Sequence, residues 1–497
     1  MKWANFLHIY QPADQQPDIL QAIVDQSYRP ILSHIASSKS ARVTLNVTGA
    51  LLELFDKYGH KDILALLKKG GEEGKIEFTG SAKYHAFLPM LGEDDIRRQI
   101  IANNETCKYY LGDAYKPRGF FPPEMAYSKK FISTVESLGF EWIILDEIAL
   151  NGEPGKVDYS KFYSIKGTKM KVFFRERRLS NLIMSAVVRS KKTLDEAMRD
   201  DLKSERYIVT AMDGETFGHH RPGLEKMLFE ILDTTDLSLS TISDLLKEKR
   251  EVVEIDPISS TWASSKNDID QGIQFLSWND PSNAIHTWQW ELFHLVRGEV
   301  ALADTKLSTY PELQKHMDIA TASDHFWWAS AKPWWSVEMI EDGAYRLLET
   351  LRAVPEVKKE TLAKASVLYE NIISTAFNWQ RTGRIRTMMQ EQRSITRIPF
   401  KDRTIGRGGA EEGVYHAFME MMKRLEKESI ERREYEKAIL WRDAMWKLEN
   451  KLDIYDTINA IDLVRIDIPN EEVEKTILEY KEKYAAMRGG QPEQRGA

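Results

Sequence analysis

The stretch YIVTAMDGETFGHH (207–220) carries six apolar or β-favouring residues straight into a turn holding Asp213, Glu215, His219 and His220, with Arg221 next. Such a run reads as a buried strand, and a strand that finishes on a carboxylate and a glycine is a candidate site. Two plainer readings compete with a catalytic one: an ordinary solvated loop, or a helix start capped by acids. The flanking sequence decides between them.

Working outward, six more β-rich runs precede this one: WANFLHI (3–9), RVTLNVTG (42–49), KIEFTG (75–80), RGFFPP (118–123), WIILDE (142–147) and VFFRE (172–176). Helical periodicity fills most intervals, at 19–35, 51–69, 94–110 and 129–138, whereas 148–171 is Gly-rich and reads as a loop or hairpin. Strands alternating with helices of this length imply parallel pairing through right-handed crossovers. Seven of them predict an α/β fold built as a closed or nearly closed (β/α)7 barrel, with an open doubly wound sheet as the structural alternative. Ionisable residues mark the run ends in series: His8, Glu77 with His85 beyond it, Glu124, Asp146 with Glu147, Arg175, and Asp213. Barrels keep their catalytic groups at the carboxyl ends of their strands, so the series favours a site over a plain loop.

Past about residue 260 the texture changes to strong helix formers and dense charge. The expected division is a catalytic barrel over 1–284, a helical region over 285–400 that completes the active site, a C-terminal helical segment over 401–487, and a disordered tail over 488–497. Trp441, Met445, Leu448 and Leu452 form one apolar stripe. KRLEKESIERREYEK (423–437) reads as a solvated helix face laced with i,i+4 pairs, and KDRTIGRGGAEEG (401–413) as a loop.

Composition bounds the function. At 42% hydrophobic, the 497 residues can bury a sizeable core, and a net charge of -7 argues against nucleic-acid binding. Cys107 is the sole cysteine, which excludes an internal disulfide and makes a thiolate zinc site implausible. The start MKWANFLHIYQP lacks the apolar core of a signal peptide, and no stretch approaches the roughly 20 apolar residues of a membrane span. A soluble, cytoplasmic protein with no membrane partner is expected. Of thirteen tryptophans, Trp278, Trp288 and Trp290 form one cluster and Trp327, Trp328 and Trp334, with Trp335, another. Helix packing accounts for most tryptophans; platforms for the C–H face of a sugar are the alternative.

Two carboxylates flanking a sugar can hydrolyse a glycosidic bond, one attacking the anomeric carbon while the other moves the proton. Glu124 suits the nucleophile because the prolines before it stiffen its turn. Asp213 suits the acid/base, since burial at a strand end raises its pKa toward that task. A metal site built from His8, His85, His219, His220 and Asp213 is the rival chemistry, but no tight ligand spacing supports it. No cofactor or metal is expected.

These motifs together resemble the family 57 glycoside hydrolases, retaining enzymes acting mainly on α-glucans, with a (β/α)7 barrel and a helical C-terminal region. HIYQP (8–12), GKIEFTGSAKYHAFLP (74–89), GFFPPE (119–124), DGETFGHH (213–220) and SDHFWWASA (323–331) are similar to the family's five motifs in order, and FFRERRLSN (173–181) to a segment near its site. The resemblance implies Glu124 as nucleophile and Asp213 as acid/base. It implies substrate contacts at His8, Gln11, Glu77, His85, Arg175, Glu215, His219, Trp262, Asp324, Trp327 and Trp328, while Arg221 reads better as a structural ion-pair partner. Phe120 and Phe121 replace a tryptophan common in the third motif, and Asn181 stands where Leu-Ser-Asp usually ends; both bear on subsites and bond preference.

The expected function is therefore a retaining hydrolase of α-1,4 bonds in α-glucans, with α-1,6 bonds as a second target, of the α-amylase or amylopullulanase type. A 4-α-glucanotransferase on the same scaffold is the alternative. Further from the sequence stand a metal-dependent polysaccharide deacetylase and a non-catalytic glucan-binding protein.

Overall fold

The structure, a computed structural model, describes residues 1–186, 188–332, 334–389, 413–450 and 454–487. The chain divides into two compact units. One comprises Met1–Arg177, Lys203–Gly214 and Leu232–Gln392; the other comprises Arg178–Leu202, Glu215–Ile231 and Arg393–Ala497.

In the first unit all seven expected strands form: β1 (Lys2–Ile9), β2 (Val43–Val47), β3 (Ile76–Phe78), β4 (Gly119–Phe120), β5 (Trp142–Asp146), β7 (Lys171–Arg175) and β8 (Tyr207–Asp213). The Gly-rich interval supplies β6 (Phe162–Ile165), which pairs antiparallel with β7 as a hairpin. Two short strands went unread, β9 (Ser238–Leu239) and β10 (Val252–Ile255). Both are at least partly open to solvent, so they lack the apolar signature of the others.

Among the described residues the strands do not close into one sheet, so the expected closed or nearly closed (β/α)7 barrel is not confirmed. The strands make two five-stranded sheets, one ordered β3-β2-β1-β8 with β9 also on β1, the other β10-β6-β7-β5-β4. Between β3 and β4 the ladder shrinks to a single parallel bridge, Gly80 to Phe120. Pro122 and Pro123 follow at once, and a proline has no N–H to give a ladder. Glycine is required beside this junction: a Cβ on Gly119 would lie 2.1 Å from the Trp142 ring. At the other junction the amide of Glu176 donates to the carbonyl of Val209 at 2.8 Å.

β1, β2 and β5 are buried on both faces, as parallel interior strands require. Their registry aligns the chemistry. His8 lies level with Asn46 on one side and Asp213 on the other, and Asp146 lies level with Arg175. Helices α1 (Glu93–Leu111), α2 (Ala284–Leu302), α3 (Tyr310–Ala320), α4 (Val337–Ala353) and α5 (Lys359–Thr382) complete this unit. Acidic residues fill the first turn of α1, where they complement the helix dipole, and Gly112 at φ 58° ends it. Trp278 and Trp290 are buried in the core, with Trp290 stacked on Phe326 at 4.0 Å, so this tryptophan cluster is packing.

In the second unit α6 (Val414–Glu431), α7 (Tyr435–Asn450), α8 (Ile454–Asp467) and α9 (Asn470–Met487) enclose a core that includes Phe418, Met422, Trp441, Leu448, Val464 and Val473. Trp441, Met445 and Leu448 of the expected stripe face this core; Leu452 lies outside the described residues. The charge run spans the end of α6 and the start of α7, with Lys427 and Arg424 paired to Glu431 and Glu428. Arg221 pairs with Asp462 at 3.4 Å, the structural role expected of it. Most of the segment read as a loop, 401–412, and the tail, 488–497, lie outside the described residues.

Candidate active site

Glu124 sits in a tight turn, Pro123–Met125, four residues beyond the end of β4, with φ 62° and ψ 14°. A non-glycine residue held in this left-handed region costs on the order of 1–3 kcal/mol and persists only where its surroundings fix it. Here they do. The Trp262 indole Nε1 donates to Glu124 Oε2 at 2.8 Å, and the Trp262 amide donates to the Glu124 carbonyl at 3.2 Å. Ser323 Oγ lies 3.5 Å and His85 Nδ1 3.8 Å from Oε1.

Asp213 ends β8. Gly214 follows because a Cβ there would lie 2.6 Å from Ile9, and the Gly214 carbonyl accepts from Ser27 Oγ at 3.0 Å. Burial, then the charges of Asp213 and Asp324, push Glu124 up to about 8. Burial likewise pushes Asp213 up to about 6, against the pull of Arg175. Asp324, at the start of a one-turn helix, is pushed to about 6 by burial while Tyr10 donates to its Oδ2 at 2.8 Å. A raised Asp213 matches the sequence reading; the larger rise at Glu124 was not expected.

His85 lies beside Glu124 and His8 beside His85, both buried, at 4% and 3% exposure, and bonded to protein groups. Arg175 is buried too, donating from Nε to the Ala211 carbonyl and from Nη1 to Asp146. Trp327 and Trp328 are half-buried one turn after Asp324, with Trp334 tilted against Trp327 at 4.5 Å. Gln11 bonds Tyr28 and Gln15. Glu77 stands apart from the group. It is level with Thr44, two residues nearer the amino ends than His8, and accepts from Thr44 Oγ1 and the Ser243 amide. Glu215 and His219 fall in the second unit, Glu215 buried and His219 with its pKa lowered by burial.

Sequence reading missed four residues of this group: Asn46, Ser323, Tyr10 and Arg177. Asn46 had a signal, as an amide inside the apolar run of β2, and Tyr10, Arg177 and Ser323 lie within the motifs HIYQP, FFRERRLSN and SDHFWWASA without having been singled out there. Arg177 donates to Asp146 and to the carbonyls of Trp262 and Ser264. Among the described residues, no group of three or more His, Cys, Asp or Glu side chains is arranged to hold a metal ion.

Carboxylates gathered at the strand ends of an α/β scaffold are an arrangement that enzymes working on glycosidic bonds use. The chain belongs to glycosyl hydrolase family 57, whose sequence profile matches residues 5–256. It is 24% identical to an α-amylase of Pyrococcus horikoshii over 232 residues, 46% of this chain and 36% of that protein. The chain spans about a third or less of the length of the first curated relatives it matches. In fold it is similar to the family 57 branching enzyme of Pyrococcus horikoshii, with a TM-score of 0.57 at 17% identity over 76% of this chain and 95% of that one. It is also similar to the 4-α-glucanotransferase of Thermococcus litoralis, with a TM-score of 0.56 at 16% identity over 72% of this chain and 59% of that one. Among the described residues no helix is long and apolar enough to cross a membrane.

Proposed function

We propose that this chain is a retaining glycoside hydrolase that cleaves α-1,4 bonds of α-glucans through Glu124 and Asp213. The observation that carries the proposal is that these two carboxylates, 89 positions apart in sequence, both stand beyond the carboxyl ends of strands, β4 and β8, where the charge of Asp213 helps raise Glu124. One attacks the anomeric carbon as the bond to the leaving oxygen breaks, and the other protonates that oxygen. The second then takes a proton from water as water releases the sugar. Retention needs the pair roughly 5–5.5 Å apart. The half-buried Trp327 and Trp328 suit the C–H faces of glucose units, and Arg175 holds charge beside Asp213. The α-amylase and glucanotransferase among the similar proteins support an α-glucan substrate.

Family resemblance makes Glu124 the nucleophile. The alternative exchanges the two roles: burial raises both carboxyl groups above the usual carboxylate range, so the pair shares one proton. On the first assignment, that proton stands on Asp213 at the moment of attack. Azide separates the two. With an activated aryl α-maltoside, Glu124→Ala should yield the β-glycosyl azide and Asp213→Ala the α-glycosyl azide. The opposite pairing would exchange the roles, and undiminished turnover in both variants would refute the function. Products from maltoheptaose and pullulan then separate hydrolysis from transfer: longer glucans indicate a glucanotransferase, and maltotriose from pullulan indicates α-1,6 cleavage.

A further inference from the structure

We propose that the planar guanidinium of Arg177 sets the position of Glu124 by holding the loop that carries Trp262, which makes Arg177 a positioning residue acting through Trp262. The proposal rests on Glu124 being one of the two reacting carboxylates.

The contacts run outward from the carboxylate. The turn of Glu124 and the segment 260–264 are zipped together. The Trp262 amide and indole donate to the carbonyl and Oε2 of Glu124 at 3.2 and 2.8 Å, and the Tyr127 amide donates to the Ser260 carbonyl at 2.8 Å. The segment then folds back on itself. The Thr261 amide donates to Ser264 Oγ at 2.8 Å, and Ser264 Oγ donates to the Gln274 carbonyl at 2.7 Å. This fold brings the carbonyls of Trp262 and Ser264 to one guanidinium. Arg177 donates from Nη2 to Trp262 at 3.1 Å and from Nη1 to Ser264 at 3.0 Å. Asp146 anchors the same group, its Oδ2 3.2 Å from Nε and its Oδ1 2.8 Å from Nη2. From Asp146 through Arg177 and Trp262 to Glu124, every donor is an N–H and every acceptor a carbonyl or carboxylate oxygen, so the direction of each bond is fixed.

Arginine is required for this geometry. Its N–H groups lie in one rigid plane, so a single side chain serves a carboxylate and two carbonyls at once, whereas a lysine ammonium is a point charge on a flexible stem. Arg175, two residues earlier, also bonds Asp146 but spends its Nε on the Ala211 carbonyl. The two arginines therefore divide the work, Arg175 beside Asp213 and Arg177 on the loop that grips Glu124. The charged groups acting on Arg177 are Asp146, Glu147 and Arg175; those facing Glu124 are Asp213, Asp324 and, when protonated, His85.

The test uses Arg177→Lys, which keeps a positive charge for Asp146 and so keeps the fold, but loses the planar fork. In protein labelled with 5-fluorotryptophan, the ¹⁹F signal of Trp262, assigned with Trp262→Phe, should shift or broaden in this variant. An unchanged signal would overturn the clamp whether or not Glu124 reacts. In the kinetic arm, kcat/KM of Arg177→Lys should fall roughly 10-fold. The alkaline limb of its pH profile should rise by about half a unit, because a slackened indole bond favours the Glu124 anion less. That rise should vanish in a Trp262→Phe background, where the donor is already gone. A rise that persists there would show that Arg177 acts by another route and would overturn the proposal, as would kcat/KM and a limb equal to those of the parent. Failure of the function itself reads out separately, as full activity in Glu124→Gln.

Discussion

Trp262 clamps Glu124 at two points, the indole Nε1 donating to Oε2 at 2.8 Å and the main-chain amide donating to the Glu124 carbonyl at 3.2 Å. The second bond fixes the strained turn and the first fixes the carboxylate. A hydrogen bond to a charged group contributes about 1.5–3 kcal/mol. Trp262→Phe keeps the ring against His8 and Phe121 but deletes the donor, which favours the anion. Its kcat/KM should drop roughly 10- to 100-fold, and its alkaline limb should move up. A downward or absent movement would show that the indole does not stabilise the ionised form.

The pair should give a bell-shaped pH profile. The active form carries one proton over Glu124 and Asp213. Activity is lost below about 6, as a second proton binds, and above about 8, as the last one leaves. Both role assignments predict the same bell, because its limbs belong to the pair. A profile flat from pH 5 to 9 would contradict a coupled pair; those bounds lie about one unit outside the two values.

Stability should respond to the same burial. Between the ordinary value of 4.5 and about 8, folded Glu124 holds a proton that the unfolded chain has released. Folding stability therefore falls as pH rises through that window, by on the order of 1.4 kcal/mol per unit at most. Glu124→Gln removes the titration. The Tm of the variant relative to the parent should be higher at about pH 9 than at about pH 5, scanned by calorimetry.

Asp146 is a hub. Buried with 0% side-chain exposure, it pairs with Arg175 at 3.0 Å and Arg177 at 2.8 Å. Arg175 acts on Asp213, and Arg177 holds the carbonyl of Trp262. Asp146→Ala strands two arginines, one of them wholly buried, and should destabilise the fold by about 3–5 kcal/mol in urea titration. Asp146→Asn keeps the shape and part of the bonding, so it should cost less stability while still lowering kcat. Equal stability in the alanine variant would remove Asp146 from this role.

The sequence by itself determined the strands that carry the site and the two carboxylates at their ends. Apolar runs of parallel-strand length are legible because both faces are buried, and a carboxylate closing such a run stands out against it. Arg221 was also readable as structural, and it meets Asp462. Only tertiary structure decided the closure of the sheet, which Pro122 and Pro123 interrupt where β3 and β4 would have to pair. It alone separated Glu77 from the group, since a two-residue difference in registry moves a side chain by about 6.6 Å along a strand. It alone buried Glu124, which raises its proton affinity, and joined Asn46, His8, His85 and Ser323 in one line. Those properties depend on burial and on contacts between residues up to 238 positions apart, which local pattern does not encode.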